Sequence, residues 1–519
     1  MSYGIINIMK KINQLKVGSI LSYIQMGLSI VIGLVYTPVM IRLLGQSEYG
    51  LYQTVSSTIA MLGILNLGFN SSYVRYFAKY KKNNDYESIS KLNGLFLIIF
   101  SVIALIAFLC GMFLTLHLEL VFKSGLTAHE YSIARVLMFL LTINLAASFP
   151  LSVFTSIISA NERFVFLKLV NAISTVLGPA VTLPLLLMGY RSIAMVTVSL
   201  VLSLLVGAIN IYYVCIKLNN RFVFKGFEKG IFKSMFIYTL FIAINLIIDQ
   251  INWNIDKILL GRFKGTTAVA VYSVGYTLYN CYMQFSTSIS SVFTPRIHKI
   301  VNETKDDIEK QRIRLTELFV KVGRIQFLLL GLIASGIVFF GKEFILNIWT
   351  GKGYDDSYYV ALLLIISASI ALIQNLGIEI QRAQNLHHFR SYAYLVMAII
   401  NLVLSIILCQ RYGAVGSAIG TAISLILANG LVMNIYYHKK CNIDVICFWK
   451  NILRQSFGLI IPCIFGIVYK KIVDCNKLQY FFLGIILYVV VYSASIWLIS
   501  MNDYEKSLII SPLKRIIKK

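Results

Sequence analysis

Charge is scarce in this sequence. Of 519 residues only 13% are Asp, Glu, Lys or Arg, against 58% hydrophobic, and the mean hydropathy is +0.77. A single soluble core cannot hold that much apolar surface, so lipid must be the solvent for most of the chain. Met1 to Lys16 is polar and basic and lacks the shape of a cleavable secretion signal, so the first apolar span is expected to stay in the protein. The eight cysteines (Cys110, Cys215, Cys281, Cys409, Cys441, Cys447, Cys463, Cys475) have no metal-ligand spacing and read as reduced packing residues. A glycine-rich nucleotide loop and a zinc-binding helix motif are both missing, which argues against an ATP-driven or metal-dependent machine. The long outer loops of membrane polymerases and ligases are missing as well: the longest, around Gly341 to Ser357, carries no histidine. Histidines fall mostly on the other face, at His298, His387, His388 and His438.

Acidic residues are the rarer sign, 22 against 47 Lys and Arg, for a net charge of +25. In a soluble protein that excess would point to nucleic acid. Here the basic residues flank apolar spans, where they are the ordinary orientation signal, and no nucleic-acid partner is expected.

What is abundant is membrane-length apolar sequence. Stretches able to cross roughly 30 Å of hydrocarbon recur about 14 times, and backbone polar groups at that depth must be satisfied inside helices, so the fold class is all-α and polytopic. The second span is expected over Tyr49 to Val74, the seventh over Phe232 to Ile255 and the tenth over Tyr358 to Ile380. The eleventh and twelfth run Ser391 to Cys409 and Val415 to Tyr437, and the last two Cys447 to Tyr469 and Leu478 to Ser500. Alternate loops differ sharply in Lys and Arg, with about 33 on one side against about 12 on the other. The basic side includes Lys10, Lys11, Lys79, Lys81, Lys82 and the tail Lys514, Arg515, Lys518, Lys519, which puts both termini in the cytoplasm of a cell (plasma) membrane protein.

The spans repeat. Asn210-Ile211-Tyr212-Tyr213 recurs as Asn434-Ile435-Tyr436-Tyr437, and the same offset of 224 carries Asn161 onto Asn385, Gly189 onto Gly413 and Thr197 onto Thr421 without a gap. Earlier matches use slightly smaller offsets: Leu43-Leu44-Gly45 with Leu259-Leu260-Gly261, and Ser71, Ser72, Arg75 with Ser290, Ser291, Arg296. Six spans per copy is an even number, so both copies enter from the same side and form a parallel repeat. The expected domains are an N-terminal lobe over 1–220, a C-terminal lobe over 221–440, and two appended spans with a basic tail over 441–519.

Ile41-Arg42-Leu43-Leu44-Gly45 followed by Glu48-Tyr49-Gly50-Leu51-Tyr52, Leu67-Gly68-Phe69 before Arg75, and Asp256-Lys257-Ile258-Leu259-Leu260-Gly261 make the chain resemble a known family. It is similar over nearly its whole length to the polysaccharide-biosynthesis or O-antigen flippases (Wzx-like) of the multidrug/oligosaccharidyl-lipid/polysaccharide exporter superfamily. The resemblance implies two six-helix lobes in a V that open alternately to each face. Through them an undecaprenyl-pyrophosphate-linked oligosaccharide would pass outward, with no enzymatic step and no cofactor beyond a coupling ion, Na+ or H+. Membrane lipid and the proteins of polysaccharide assembly are the further partners it implies. In related lipid II flippases the two extra helices form a groove for the lipid tail. A cation-coupled multidrug exporter of the same superfamily is the alternative, and a membrane polysaccharide polymerase or ligase a more distant one.

A lipid-linked sugar presents a diphosphate, many hydroxyls and an apolar tail, so its carrier needs cations and polar groups inside a bundle. Arg75 and Arg296 occupy matching positions at the cytoplasmic ends of the second and eighth spans and are the expected diphosphate ligands, unless they only anchor helix ends among headgroups. Asn245, Asp249, Asn252 and Asp256 follow one another at four, three and four residues and share one face of the seventh span. A carboxylate at the depth of Asp249 is costly, which makes it a candidate for ion coupling or for a structural hydrogen bond. Asp256, Lys257 and Arg42 lie near the outer ends of equivalent spans and are expected at an external gate. Glu379 and Arg382, three residues apart on the tenth span, either gate the passage or neutralise each other.

Overall fold

The computed structural model describes residues 14–122, 126–227 and 230–517. Lys10, Lys11, Lys518 and Lys519, expected on the cytoplasmic side, lie outside them. Among the described residues the chain is helical throughout and contains no strand. Ten described helical stretches are long and apolar enough to cross a membrane by themselves.

The first six expected spans appear as α1 Gln14–Leu44, α2 Gln46–Met61 with α3 Phe69–Lys82, α4 Tyr86–Leu116, α5 Ala128–Ala160, α6 Phe164–Leu187 and α7 Arg191–Tyr212. Then follow α8 Ile231–Phe263, α9 Thr266–Glu303, α10 Ile308–Glu343, α11 Asp355–Ile373 with α12 Leu376–Ala383, and α13 His387–Leu425 with α14 Met433–Lys439. The chain ends with α15 Val445–Ser456, α16 Ile460–Ile472, α17 Leu478–Ser495 and α18 Asp503–Ile517. The tight turn between the eleventh and twelfth expected spans is Gly413, whose φ of 58° and ψ of −134° break an otherwise continuous α13 and need a residue without Cβ.

The second span is not one helix. A 3-10 segment, Leu62–Asn66, separates α2 from α3, and the chain turns at Leu67 and Gly68 with φ of 50° and 78°. The Leu67-Gly68-Phe69 motif is the sequence of that break. The tenth span is also interrupted, by a turn at Gln374 and Asn375 between α11 and α12 that keeps negative φ.

By internal packing the chain divides into two compact units, Met1–Ser273 and Val274–Lys519. In the first, α4 packs along α5, α1 along α6, and α5 along α7, while α8 lies against α2 and α3. It contains an aromatic core in which Tyr73 meets Phe96 edge-on at 5.1 Å between ring centroids, the arrangement the ring quadrupoles favour. The Tyr73 hydroxyl donates to Asn93 Oδ1 (2.6 Å), and Asn93 Nδ2 donates to the carbonyl of Arg221 (3.0 Å). That pins the connector after α7 onto α4.

The Glu48-Tyr49-Gly50-Leu51-Tyr52 motif does structural duty. Glu48 is buried in the first turn of α2 and accepts from the backbone N–H (3.0 Å) and hydroxyl (2.6 Å) of Ser192, and from Arg191 (3.1 Å). It thereby caps the N-terminus of α7, where a carboxylate is favoured by unsatisfied amides and by the helix dipole. Gly50 lets α2 approach α9 so closely that a Cβ would stand 1.8 Å from the Thr266 carbonyl oxygen, the small-residue packing that brings membrane helices together.

In the second unit α10 packs on α11 and α15, α11 on α13, and α17 on both α10 and α16. The guanidinium of Arg324 on α10 is 7% exposed and pairs with the carboxylate of Glu505 on α18, itself 2% exposed, at 2.6 Å. The same guanidinium donates to the Ser500 carbonyl at 2.8 Å, and Lys321 lies 3.3 Å above the Tyr504 ring. The C-terminal helix is thus fastened to the middle of α10 by one buried ion pair and one cation–π contact.

Candidate functional site

The polar face expected on the seventh span is real but graded along α8. Asn245 and Asp249 are exposed, Asn252 is half-buried, and Asp256 is 2% exposed. The carboxylate of Asp256 accepts a hydrogen bond from the Tyr272 hydroxyl at 2.7 Å. Lys257, one residue on and therefore on another side of the helix, is buried and donates to Gln53 Oε1 on α2 at 3.2 Å. The buried end of this face knits helices of the first unit together, and its open part presents Asn245 and Asp249. Arg42 is exposed in the last turn of α1, where the helix dipole favours a cation.

Glu379 and Arg382 form an ion pair within α12 at 2.6 Å, with the arginine side chain 61% exposed. Asn375, at the break before α12, donates to Ser290 Oγ at 3.2 Å.

Arg75 is exposed on α3 in the first unit, and Arg296 is exposed on α9 in the second. Arg296 lines a cavity of about 600 Å³ at the end of the α9–α10 hairpin, together with Lys299, Glu303, Arg314, Glu317 and Lys321. Those side chains carry four positive and two negative charges. The Arg314 guanidinium bonds Glu303 at 2.9 Å, which holds that carboxyl below the usual glutamate range, and Lys299 approaches the same carboxylate at 3.6 Å. Arg296 has no described carboxylate within ion-pair distance.

From the sequence, the Arg296 to Arg324 stretch reads as a solvated connector that is partly helical. Structurally it is two helices joined by a short turn, with the Asp307 carboxylate accepting from the Lys310 N–H at 2.9 Å as the cap of α10. Lys299, Arg314 and Lys321 escape a reading that looks for isolated charges inside spans. Their signal is spacing: 296, 299, 303 on one helix and 314, 317, 321 on the next advance by three and four, so each set shares one face.

The second unit also contains an apolar cavity of about 230 Å³ between α9, α10 and α17. Leu278, Ile333, Ile337, Phe340, Ile485 and Val489 are among its walls, and the space over Gly336 is open. Among the described residues no three His, Cys, Asp or Glu side chains group as a metal site.

A protein assigned as an O-antigen transporter in Shigella flexneri is 22% identical over 78% of this chain and 92% of its own length. A protein assigned as a flippase of low-salt glycan biosynthesis in Haloferax volcanii is 25% identical over 57% of this chain and 60% of its own. The fold is similar to that of a solved structure described as the lipid II flippase MurJ in an inward closed conformation, with a TM-score of 0.68 at 16% identity over 96% of this chain and 99% of that one. The sequence profile of the family described as polysaccharide biosynthesis protein matches residues 16–301, more than half of the 519, so the chain belongs to the polysaccharide biosynthesis protein family.

Proposed function

We propose that this protein is a flippase that carries an undecaprenyl-pyrophosphate-linked oligosaccharide from the cytoplasmic to the outer leaflet of the plasma membrane by alternating access. The observation that carries the reading is the cation-rich cavity containing Arg296. Charge-assisted hydrogen bonds from guanidinium and ammonium groups are the strong hydrogen bonds available to a diphosphate from protein side chains. The apolar cavity against α17 in the same unit has the chemistry of an isoprenoid tail. One unit therefore offers an anion-binding recess and a lipid-like recess, which suits a substrate that is both. Family membership and the names of the relatives point the same way.

Within this reading Arg75 and Arg296 receive the diphosphate, and Asp249 with Asn245 couples transport to a cation gradient, Na+ or H+. Asp256, Lys257 and Arg42 govern closure at the outer end, with both termini in the cytoplasm. A drug exporter has no need for four cations in one recess, since its substrates are themselves commonly cationic, and like charges repel.

The test is a deletion strain. Loss of the gene should stop surface polysaccharide and leave the lipid-linked intermediate accumulating inside, sensitive to glycan-modifying enzymes only after the membrane is opened. Normal surface glycan with lost resistance to cationic dyes would overturn the reading in favour of the exporter.

A further inference from the structure

The first unit contains a second polar cavity, an open recess of about 580 Å³ lined by α1, α5, α6 and α7. Its size falls within the range of small-molecule sites. From α6 it receives Asn171, Ser174, Thr175 and Thr182, and from α5 Ser148, Ser152 and Thr155. Ser199, Ser203 and Asn210 reach it from α7. Among the described residues no ionisable side chain lines it.

Most of these hydroxyls spend their hydrogen on their own helix. Thr155 donates to the Ser152 carbonyl (2.8 Å), Thr175 to the Asn171 carbonyl (2.8 Å) and Thr182 to the Gly178 carbonyl (2.7 Å). A hydroxyl retains two acceptor lone pairs after donating, so the wall presents acceptors. Asn210 adds one more: its side chain is 2% exposed, and its Oδ1 has no hydrogen-bond partner among the described residues. A buried acceptor left open is costly and calls for an explanation.

The internal repeat shows that the fold does not require this. Asn434 stands 224 residues after Asn210, and its Oδ1 accepts from Trp449 Nε1 at 3.0 Å, so the second copy closes the same atom with a side chain. Moved by the same 224, Asn171, Thr175, Thr182, Ser199 and Ser203 become Leu395, Ile399, Ile406, Ile423 and Leu427. The first copy holds polar side chains at positions where the second is satisfied with hydrocarbon.

We propose that this cavity is a binding subsite for the uncharged sugar residues of the transported glycan. The inference rests on the flippase reading and deepens it. A sugar brings a dense set of O–H donors, which match an acceptor-rich wall and Asn210 Oδ1. A bare cation would meet no compensating carboxylate there, and an uncompensated charge at membrane depth is expensive. A proton would find no group to titrate.

The test uses full-length protein in nanodiscs and the reducing glycan that mild acid releases from the lipid carrier of the parent strain. Tritium-labelled glycan should bind saturably, without dependence on Na+. The triple variant Thr155→Val, Thr175→Val, Thr182→Val removes three acceptors at nearly constant shape and should bind at least tenfold more weakly. Gly178→Leu supplies a second variant, because a Cβ there meets only Leu202 Cδ1 at 3.9 Å, and should block binding by filling the space. Unchanged affinity in both variants, no saturable binding by the parent protein, or binding that requires Na+ would each overturn the proposal. Failure of the flippase reading is seen separately, as absence of lipid-linked glycan build-up in the deletion strain.

Discussion

Replacing Glu505 by alanine is expected to cost far more than its place near the end of the chain implies. The carboxylate is 2% exposed and sits 2.6 Å from a guanidinium that is 7% exposed, so the substitution strands a cation rather than removing a surface contact. Breaking a buried pair from one side costs about 3–5 kcal/mol. Arg324 keeps its bond to the Ser500 carbonyl at 2.8 Å and a longer one to the Asn451 carbonyl at 3.5 Å, which places the expected loss near the low end, about 3 kcal/mol. Glu379→Ala is the internal control: it breaks a pair of the same 2.6 Å length whose arginine is 61% exposed, for about 0.5 kcal/mol or less. Equilibrium unfolding in mixed micelles of sodium dodecyl sulfate and a mild detergent measures both. The double variant Arg324→Met, Glu505→Leu should recover most of the loss, because an apolar pair leaves no charge uncompensated. A loss below about 1 kcal/mol for Glu505→Ala, or equal losses for the two single variants, would refute the reasoning.

Four further outcomes follow from the geometry. Arg75→Ala combined with Arg296→Ala should abolish surface polysaccharide while protein level and membrane insertion stay normal, as read by immunoblot and glycan staining. Asp249→Asn should weaken the dependence of transport on an ion gradient in vesicles, and unchanged gradient-driven transport would remove its coupling role. Gly50→Val should prevent stable folding, since even a Cβ would overlap the Thr266 carbonyl; the check is the monodisperse fraction on size exclusion. Glu303, whose carboxyl Arg314 holds below its ordinary range, keeps its pairing in full above the usual glutamate pKa and loses it only as pH falls through the depressed value. Arg314→Ala should move that titration upward, measured by carboxyl carbon NMR.

The architecture was legible because lipid imposes a single rule, that backbone polar groups close within helices. Apolar length then marked the spans. The breaks at Leu67-Gly68 and at Gln374-Asn375 were hidden, since an interrupted helix and a continuous one have the same apolar content. Of the candidate residues, Arg296 stood out by its match to Arg75 in the repeat, and Asn245, Asp249, Asn252 and Asp256 by their spacing. Spacing did not reveal that Asp256 is enclosed with Tyr272 while Asp249 is exposed, because burial depends on neighbouring helices. The neutral cavity of the first unit was the least visible: serine and threonine pass unnoticed in a membrane helix when their hydroxyls bond to the preceding turn. Only lining the two repeat copies up residue by residue brings them out.

The interruption at Gly68 bears on how the first unit can change shape. A continuous helix transmits any tilt along its whole length, whereas α2 and α3 are separate rods joined by a few residues in 3-10 and left-handed conformation. The helical hydrogen-bond ladder is broken between them, so a tilt of one rod is not carried rigidly into the other. The fulcrum is tight: a methyl group at Gly68 would stand 2.4 Å from Ile242 Cγ2 on α8. Gly68→Ala therefore acts as a wedge between α3 and α8, and it should lock or cripple motion there while leaving the cavities themselves untouched.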